Sequence, residues 1–264
     1  MTERTSTRTK EIKKITRWDF FKVFFASFFV QAAWNFRSLI SIGFSTCLFP
    51  ILNKLYPQNE DKQKFFKRHL RFFNAHPYFA SYALGVSIKL EEMVARGESP
   101  NPEVLSKIKD LLISPLGAVG DRLFWATIKP TSLIFGMVGV FLAPSIPLKF
   151  TALVLTFLLY NIPHLYFRYN GIIEGYKYGI DIYKYLGQHR FEKLRKIYLN
   201  LLLILILFLI IVYVFSIYNV RKELVLIFFF STLYAFIFNK LINNFYLVCL
   251  ASFTFFMLVG ILFL

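Results

Sequence analysis

The residues with chemistry to offer are few, and most sit inside apolar sequence. In the stretch Pro115 to Pro130, "PLGAVGDRLFWATIKP", Asp121 and Arg122 interrupt a run broken by Gly117 and Gly120. Two charges there are expensive in hydrocarbon unless the backbone doubles back into a protein-lined or watered cavity. A re-entrant hairpin with a charged tip or elbow meets that requirement, and so does a surface loop between two helices; the residues alone favour neither. In "QAAWNF", Gln31 and Asn35 are four apart, so on a helix both amides project from one face. Such a pair can hydrogen-bond a polyhydroxylated ligand or a neighbouring helix, and taken alone the spacing fits the helix-joining role better.

The other candidates for chemistry are weaker. "RHLRFFNAHPYF" carries His69, Asn74 and His76, but neither the spacing nor a nearby carboxylate supports a phosphorelay or a metal site, so structural hydrogen bonding is the expectation. His164 and His189 have still less context and are read the same way. Glu91 and Glu92 are adjacent on a helical pattern and point roughly 100° apart, too far round for a close acid/base pair; an exposed or cap-like role is expected. Cys47 and Cys249 lie far apart with no C-x-x-C, so neither a disulfide nor a zinc site is expected.

The elements that position these residues are dictated by composition. Of 264 residues, 56% are hydrophobic and 19% aromatic, with 33 Phe, so the solvent for much of the chain is lipid. The net charge of +16 raises the question of nucleic acid. The basic residues, however, occur mainly in the first half and beside apolar segments, where they read as cytoplasmic anchors facing anionic lipid; no nucleic-acid partner is expected. The basic stretch to Lys14 followed by "FFKVFFASFFVQAA" has the look of a signal peptide, but Asp19 and Lys22 interrupt its apolar region and favour an uncleaved helix.

Three regions follow: a charged tail over residues 1–17, a membrane core over 18–198 and a C-terminal group of transmembrane helices over 199–264. Residues 18–130 are apolar but punctuated, with no uninterrupted window of 18 apolar residues, so amphipathic or re-entrant helices are expected there. Within them "DKQKFFKRHLRFFNAHP" reads as a helix at the cytoplasmic membrane surface, and "ARGESPNPE" as a polar loop. Beyond them, Thr131–Ile146 and Phe150–Phe167 flank a Pro-x-x-Pro turn, and a polar helix over about Arg168–Lys196 leads to apolar runs at Leu199–Tyr218, Leu224–Phe238 and Phe245–Leu264. Gly171, Gly175, Gly179 and Gly187 recur at four- and eight-residue steps, which predicts close approach of another helix. The fold class is therefore an all-α integral membrane protein.

Five segments occur in the order and at the spacing of a known family: "QAAWNF", "GFSTCLFPILNKLYP", "FKRHLRFFNAHPYFASYALGVSIKLEE", "IKDLLISPLGAVGDRLFWATIKP" and "YNGIIEGYKYGIDI". Over residues 18–190 the chain resembles the enzyme IID component of the mannose/fructose/sorbose family of the bacterial phosphotransferase system (PTS). The resemblance implies a multi-pass subunit of the bacterial inner membrane that pairs with a IIC partner to form the path for a mannose-type hexose. Cytoplasmic IIA and IIB proteins would carry the phosphoryl group on their own histidines, so the chain itself would be non-catalytic and need no cofactor. Family assemblies imply a homo-oligomer of IIC/IID pairs. In family terms Pro115–Pro130 looks like a glycine-rich re-entrant element, and Gln31, Asn35, Asn74, His76 and Asp121 match polar motif positions and become the candidates for lining the sugar path. Trp34 and Trp125 could supply apolar faces for a sugar ring. Two departures stand out: "ISPLGA" at Ile113–Ala118 replaces the usual "MGPLAG", and only "NVRKE" connects the helix ending near Tyr218 to the next run. The short connection favours, as an alternative, a regulatory or vestigial subunit without transport; an independent enzyme using His76 or Asp121 lacks any visible nucleophile–base pair.

Overall fold

The computed structural model describes residues 14–98, 102–187, 189–220, 229–234, 236–237, 240 and 245–263. The chain divides into two compact units, Met1–Leu202 and Leu203–Leu264. Every regular element of the described residues is helical, with only isolated bridges joining Leu39 to Asn35 and Phe73. The sequence reading of an all-α membrane protein holds: among the described residues, Leu105–Leu142, Ile146–Tyr185 and Phe191–Ser216 are long and apolar enough to cross a membrane.

The first unit begins with α1 (Arg17–Ser27). Asp19, the acid that interrupts its apolar run, is fully buried and accepts hydrogen bonds from the Thr16 amide and hydroxyl, both at 2.8 Å. Lys54 of α3 (Phe49–Leu55) pairs with the same oxygen, Oδ2, at 2.6 Å. Burial opposes the Asp19 charge, but Lys54 and Thr16 outweigh it and hold the carboxyl below its ordinary range. After α1 the chain doubles back through turns into α2 (Ser41–Cys47), where Gly43 lies against the Val30 carbonyl so closely that a Cβ would collide with it. Gln31 lies in those turns and Asn35 in a bridge, so the predicted shared helix face does not exist. α4 (Asn59–His69) has Glu60 and Asp61 in its first turn and Lys67 and Arg68 in its last, each sign complementing the helix dipole.

The centre of the unit is α5 (Ala80–Ala95), buried throughout Ala80–Ile88 and Leu90–Glu92. Its closest neighbour is α8 (Ile146–Tyr178), and the two backbones touch at glycines. A Cβ on Gly85 would fall on the Ile172 carbonyl, one on Gly175 on the Tyr82 carbonyl, and one on Gly171 on the Ser81 hydroxyl. Ser81 Oγ also donates to Tyr78 O at 2.7 Å and to Phe167 O of α8 at 3.2 Å. The predicted glycine face is thus realised at Gly171 and Gly175. Gly179, with φ of +51°, ends α8 instead, and the polar helix expected over Arg168–Lys196 is broken there into a 3₁₀ turn and the short α9 (Ile182–Tyr185). α10 (His189–Val220) follows.

The opening puzzle of Asp121-Arg122 resolves as neither hairpin nor loop. α6 (Pro102–Gly120), a π-helical segment (Asp121–Ile128) and α7 (Lys129–Leu142) run on without a break, with Gly120 itself in right-handed helical conformation. Pro130 cannot donate to the preceding turn and its ring crowds it; the wider π turns just before it relieve that conflict. The residues of 105–130, read in sequence as too interrupted to span, belong to this long helix because their polar groups are satisfied internally. Lys109, for example, is buried and donates to His69 O at 3.1 Å and Arg71 O at 3.4 Å. α7 and α8 are joined by the turn at 143–145, as the Pro-x-x-Pro pattern predicts.

Glu91 and Glu92 correct another expectation: both are buried, at 0% and 3% exposure, and neither is a surface acid. Glu91 accepts from Tyr56 Oη at 2.5 Å, from Arg68 Nε at 2.9 Å and Nη2 at 2.7 Å, and from His69 Nε2 at 2.8 Å. Burial alone would raise its pKa, but His69 and Arg68 together hold it down at about 2. Burial, with the nearby positive charges of Lys109 and Arg68, outweighs the pull of Glu91 and lowers the His69 pKa, so the ring is neutral. Glu92 accepts from Arg96 at 2.6 Å and from Tyr176 of α8 at 2.5 Å.

The second unit contains the end of α10, helical residues 229–234 and α11 (Phe245–Phe263), with Tyr234 stacked on Phe255 at 4.9 Å. Residues 224–228, 235 and 238 of the run expected at Leu224–Phe238, the tail through residue 13 and the side chains of His189 and Cys249 lie outside the described residues. Cys47 is buried and donates to Ala26 O at 3.2 Å.

Two outcomes follow from these contacts. Gly175→Ala, which drives a methyl into the α5 backbone, will cost about 1–3 kcal/mol. Gly117→Ala, where a Cβ meets open space, will be neutral or gain up to about 1 kcal/mol of helix propensity; melting of the detergent-solubilised variants measures both. The Glu91 site sets an acid limit. His69 and Glu91 both bind protons less readily folded than unfolded, so stability falls as pH drops below His69's ordinary 6.5 and falls further from Glu91's ordinary 4.5 toward 2. Glu91→Gln will lose about 3–5 kcal/mol at neutral pH and flatten the lower part of that profile in acid-unfolding curves.

Candidate functional site

Four of the five sequence candidates line one cavity of about 480 Å³. Gln31 enters from the turns after α1, Asn74 and His76 from the segment leading into α5, and Asp121 from the π segment. Ser114, Gly117, Asp121 and Trp125 recur at three- and four-residue steps, so the continuous helix presents one face to the space. Asp121 and Arg122 are not an ion pair. Asp121 is exposed at the cavity, whereas Arg122 Nη2 lies 3.3 Å from Glu192 Oε1 on α10, a carboxylate it shares with Arg195.

His76 is the buried wall of the cavity, at 2% exposure. It fits because residue 120 is glycine: a Cβ there would fall on the His76 side chain. Its ring stacks on Phe124 at 5.3 Å and lies 5.0 Å from Trp125, and its Nδ1 accepts from the Tyr78 amide at 3.3 Å. Burial, reinforced by the positive charge of Arg168 and by His164, presses its pKa down to about 3, so the imidazole is neutral. Nε2 is buried with no protein partner.

Asn35 is placed elsewhere. Its Oδ1 accepts from the amides of Ser38 at 2.9 Å and Arg37 at 3.0 Å, and its Nδ2 donates to Ser38 Oγ at 3.0 Å. The side chain closes its own loop, and the signal for this was present in "NFRS", an Asn with Ser three residues on. Trp34 packs on Phe36 at 4.7 Å and is not part of the cavity lining.

Sequence reasoning missed the layer behind His76. Tyr78 stacks on His164 at 3.8 Å and shares a 2.6 Å hydrogen bond with Tyr160. Arg168, buried on α8, donates to His164 Nε2 at 3.0 Å, to Ser27 Oγ at 3.1 Å and to Ser27 O at the C-terminal end of α1. A cation on that carbonyl meets the negative end of the helix dipole, and it fixes α1 four residues before Gln31. The readable signal was a His and an Arg four apart in an apolar span, residues that seldom enter membrane helices without partners.

Among the described residues no group of three His, Cys, Asp or Glu converges as a metal site. The cavity offers amide donors and acceptors, one carboxylate, a neutral imidazole and an indole face. That set suits recognition of hydroxyl groups.

The sequence of the "PTS system mannose/fructose/sorbose family IID component" family matches residues 14–259. The mannose-specific EIID component of Escherichia coli K12 is 38% identical over 192 residues, 72% of this chain and 65% of that protein. The fructose permease IID component of Bacillus subtilis 168 is 31% identical over 184 residues, 69% of this chain and 64% of that one. The chain thus spans about 65% of the length of the curated relatives it matches. Among solved structures, the cryo-EM structure of the mannose transporter ManYZ with microcin E492 contains a similar chain, with TM-score 0.57 and 36% identity over 74% of this chain and 69% of that one. A second, described as a membrane protein, has TM-score 0.65 and 34% identity over 74% and 70%. With the family's match covering nearly the whole chain, this chain belongs to the IID component family of the mannose/fructose/sorbose PTS.

Proposed function

We propose that the chain is the IID subunit of a bacterial inner-membrane sugar permease, which pairs with a IIC subunit to form the path for a mannose-type hexose. Uptake is coupled to phosphorylation by cytoplasmic IIA and IIB proteins, and the pathway works by alternating access within an oligomer of IIC/IID pairs. The observation that carries the reading is the convergence of Gln31, Asn74, His76 and Asp121 on one cavity beside Trp125. Amides and a carboxylate offer the paired acceptors and donors that sugar hydroxyls need, and an indole offers the flat apolar face of a sugar ring.

The chain's own part is non-catalytic. A phosphohistidine needs an imidazole that a phosphocarrier can reach, whereas His69 and His76 are 0% and 2% exposed, and His69 is already committed to Glu91. In this reading the chain positions sugar and partner, and the phosphoryl transfer belongs to IIB.

Two measurements test this. A tagged chain purified gently from its native membranes will bring down a IIC homologue in near-equal amount; its reproducible absence from folded, monodisperse protein contradicts the assignment. Asp121→Asn, exposed at the cavity and free of structural bonds, will retain IIC binding and lower sugar uptake about tenfold or more, the size of one lost charged hydrogen bond. Unchanged uptake removes Asp121 from the path.

A further inference from the structure

A second groove, apart from the polar cavity, runs between α7 and α8 and encloses about 330 Å³. Its floor is apolar, formed by Leu133, Leu153 and Phe157, which are 55%, 54% and 64% exposed. The hydroxyls along it are turned away. Ser132 Oγ donates to Ile128 O and Thr156 Oγ1 to Ala152 O, each at 2.8 Å, and Tyr160 Oη is bound to Tyr78 Oη.

The uncommitted donors lie at one end. Lys129 Nζ meets no carboxylate among the described residues and rests 4.8 Å over the Trp125 ring. Asn161 spends one N–H on Phe157 O at 2.9 Å and has the other to offer. α7 and α8 are antiparallel across the turn at 143–145, so Lys129 and Asn161 both sit about 20 Å from that turn. The depth is set by charge. From Pro130 to Leu148, and again from Phe150 to Phe167, the sequence has no Asp, Glu, Lys or Arg. Lys129 and Trp125 therefore stand at the edge of the hydrocarbon layer, where cationic and indole side chains meet headgroups.

We propose that this groove seats one anionic phospholipid, its acyl chain along Leu133, Phe157 and Leu153 and its phosphate against Lys129 and Asn161. The occupant is chosen by charge complementarity. A single unbalanced cation at headgroup depth, above a floor whose hydroxyls are all turned inward, matches an amphiphile with net negative charge. A zwitterionic lipid leaves the charge unbalanced, and a free anion leaves the floor uncovered.

The test is native mass spectrometry of the full chain, in whatever assembly it keeps when purified from its own membranes, titrated with phosphatidylglycerol and with phosphatidylcholine. The expected result is one retained lipid per chain with phosphatidylglycerol preferred. Lys129→Gln will cut that preference about fivefold, the factor one lysine near an anionic surface supplies. Leu153→Trp, which fills the floor and leaves the charge in place, will lower retention of both lipids. Equal retention of the two lipids by the unmodified chain overturns the proposal, as does an unchanged preference in Lys129→Gln or unchanged retention in Leu153→Trp. Cross-linking from position 133 to a co-purifying membrane protein, with no lipid retained, also overturns it and assigns the groove to a protein interface.

Discussion

α5 and α8 meet backbone to backbone at Gly85 and Gly175, and the rest of the first unit is arranged around that contact. In lipid there is little hydrophobic gain from burying one apolar helix against another, so association relies on close packing and on hydrogen bonds between helices. The glycines supply the first and Ser81, bonded to the Phe167 carbonyl, contributes the second. With α5 pinned this way, the segment before it delivers Asn74 and His76 to the cavity, and its far end delivers Glu91 and Glu92 to partners on α4 and α8.

Buried polar groups then fix what packing alone leaves free. The Asp19–Lys54 pair ties α1 to α3, the Glu91 site ties α4 and Tyr56 to α5, and Arg168 ties α8 to the end of α1. Each is matched by opposite charge, a helix terminus or several hydrogen bonds, the condition under which such groups survive away from water. Arg168 and Gly120 act on the cavity directly: one holds the turn that carries Gln31, and the other makes room for the His76 ring.

Much of this was legible in sequence wherever one local period decided the outcome. The glycine face at Gly171 and Gly175, the turn between α7 and α8 and the all-helical membrane class all follow from spacing and composition. Gln31, Asn74, His76 and Asp121 were assigned to one path by family motifs and not by spacing, and the structure gathers them in one place. The failures at Glu91 and Gly120 share a cause, which is partners distant in sequence. Glu91 reads as exposed until Tyr56, Arg68 and His69 arrive from 22 to 35 residues earlier. Gly117 and Gly120 read as turn formers, yet Gly120 is glycine because a histidine from another segment occupies the space a Cβ would need. The helix face expected of Gln31 and Asn35 failed for the opposite reason, since Asn35's partner Ser38 is so near that the chain closes a loop there.

The most direct test of a sugar path through this cavity is protection of a cysteine placed in its wall. Ser114→Cys is nearly isosteric and lines the cavity, while the native Cys47 is buried and shielded from reagent. In membranes containing the assembled permease, the rate at which a small thiol reagent labels position 114, above that of the parent chain, is measured with and without hexose. A sugar path predicts that a transported hexose slows the labelling and that a non-transported sugar does not; labelling at the same rate with and without hexose contradicts it.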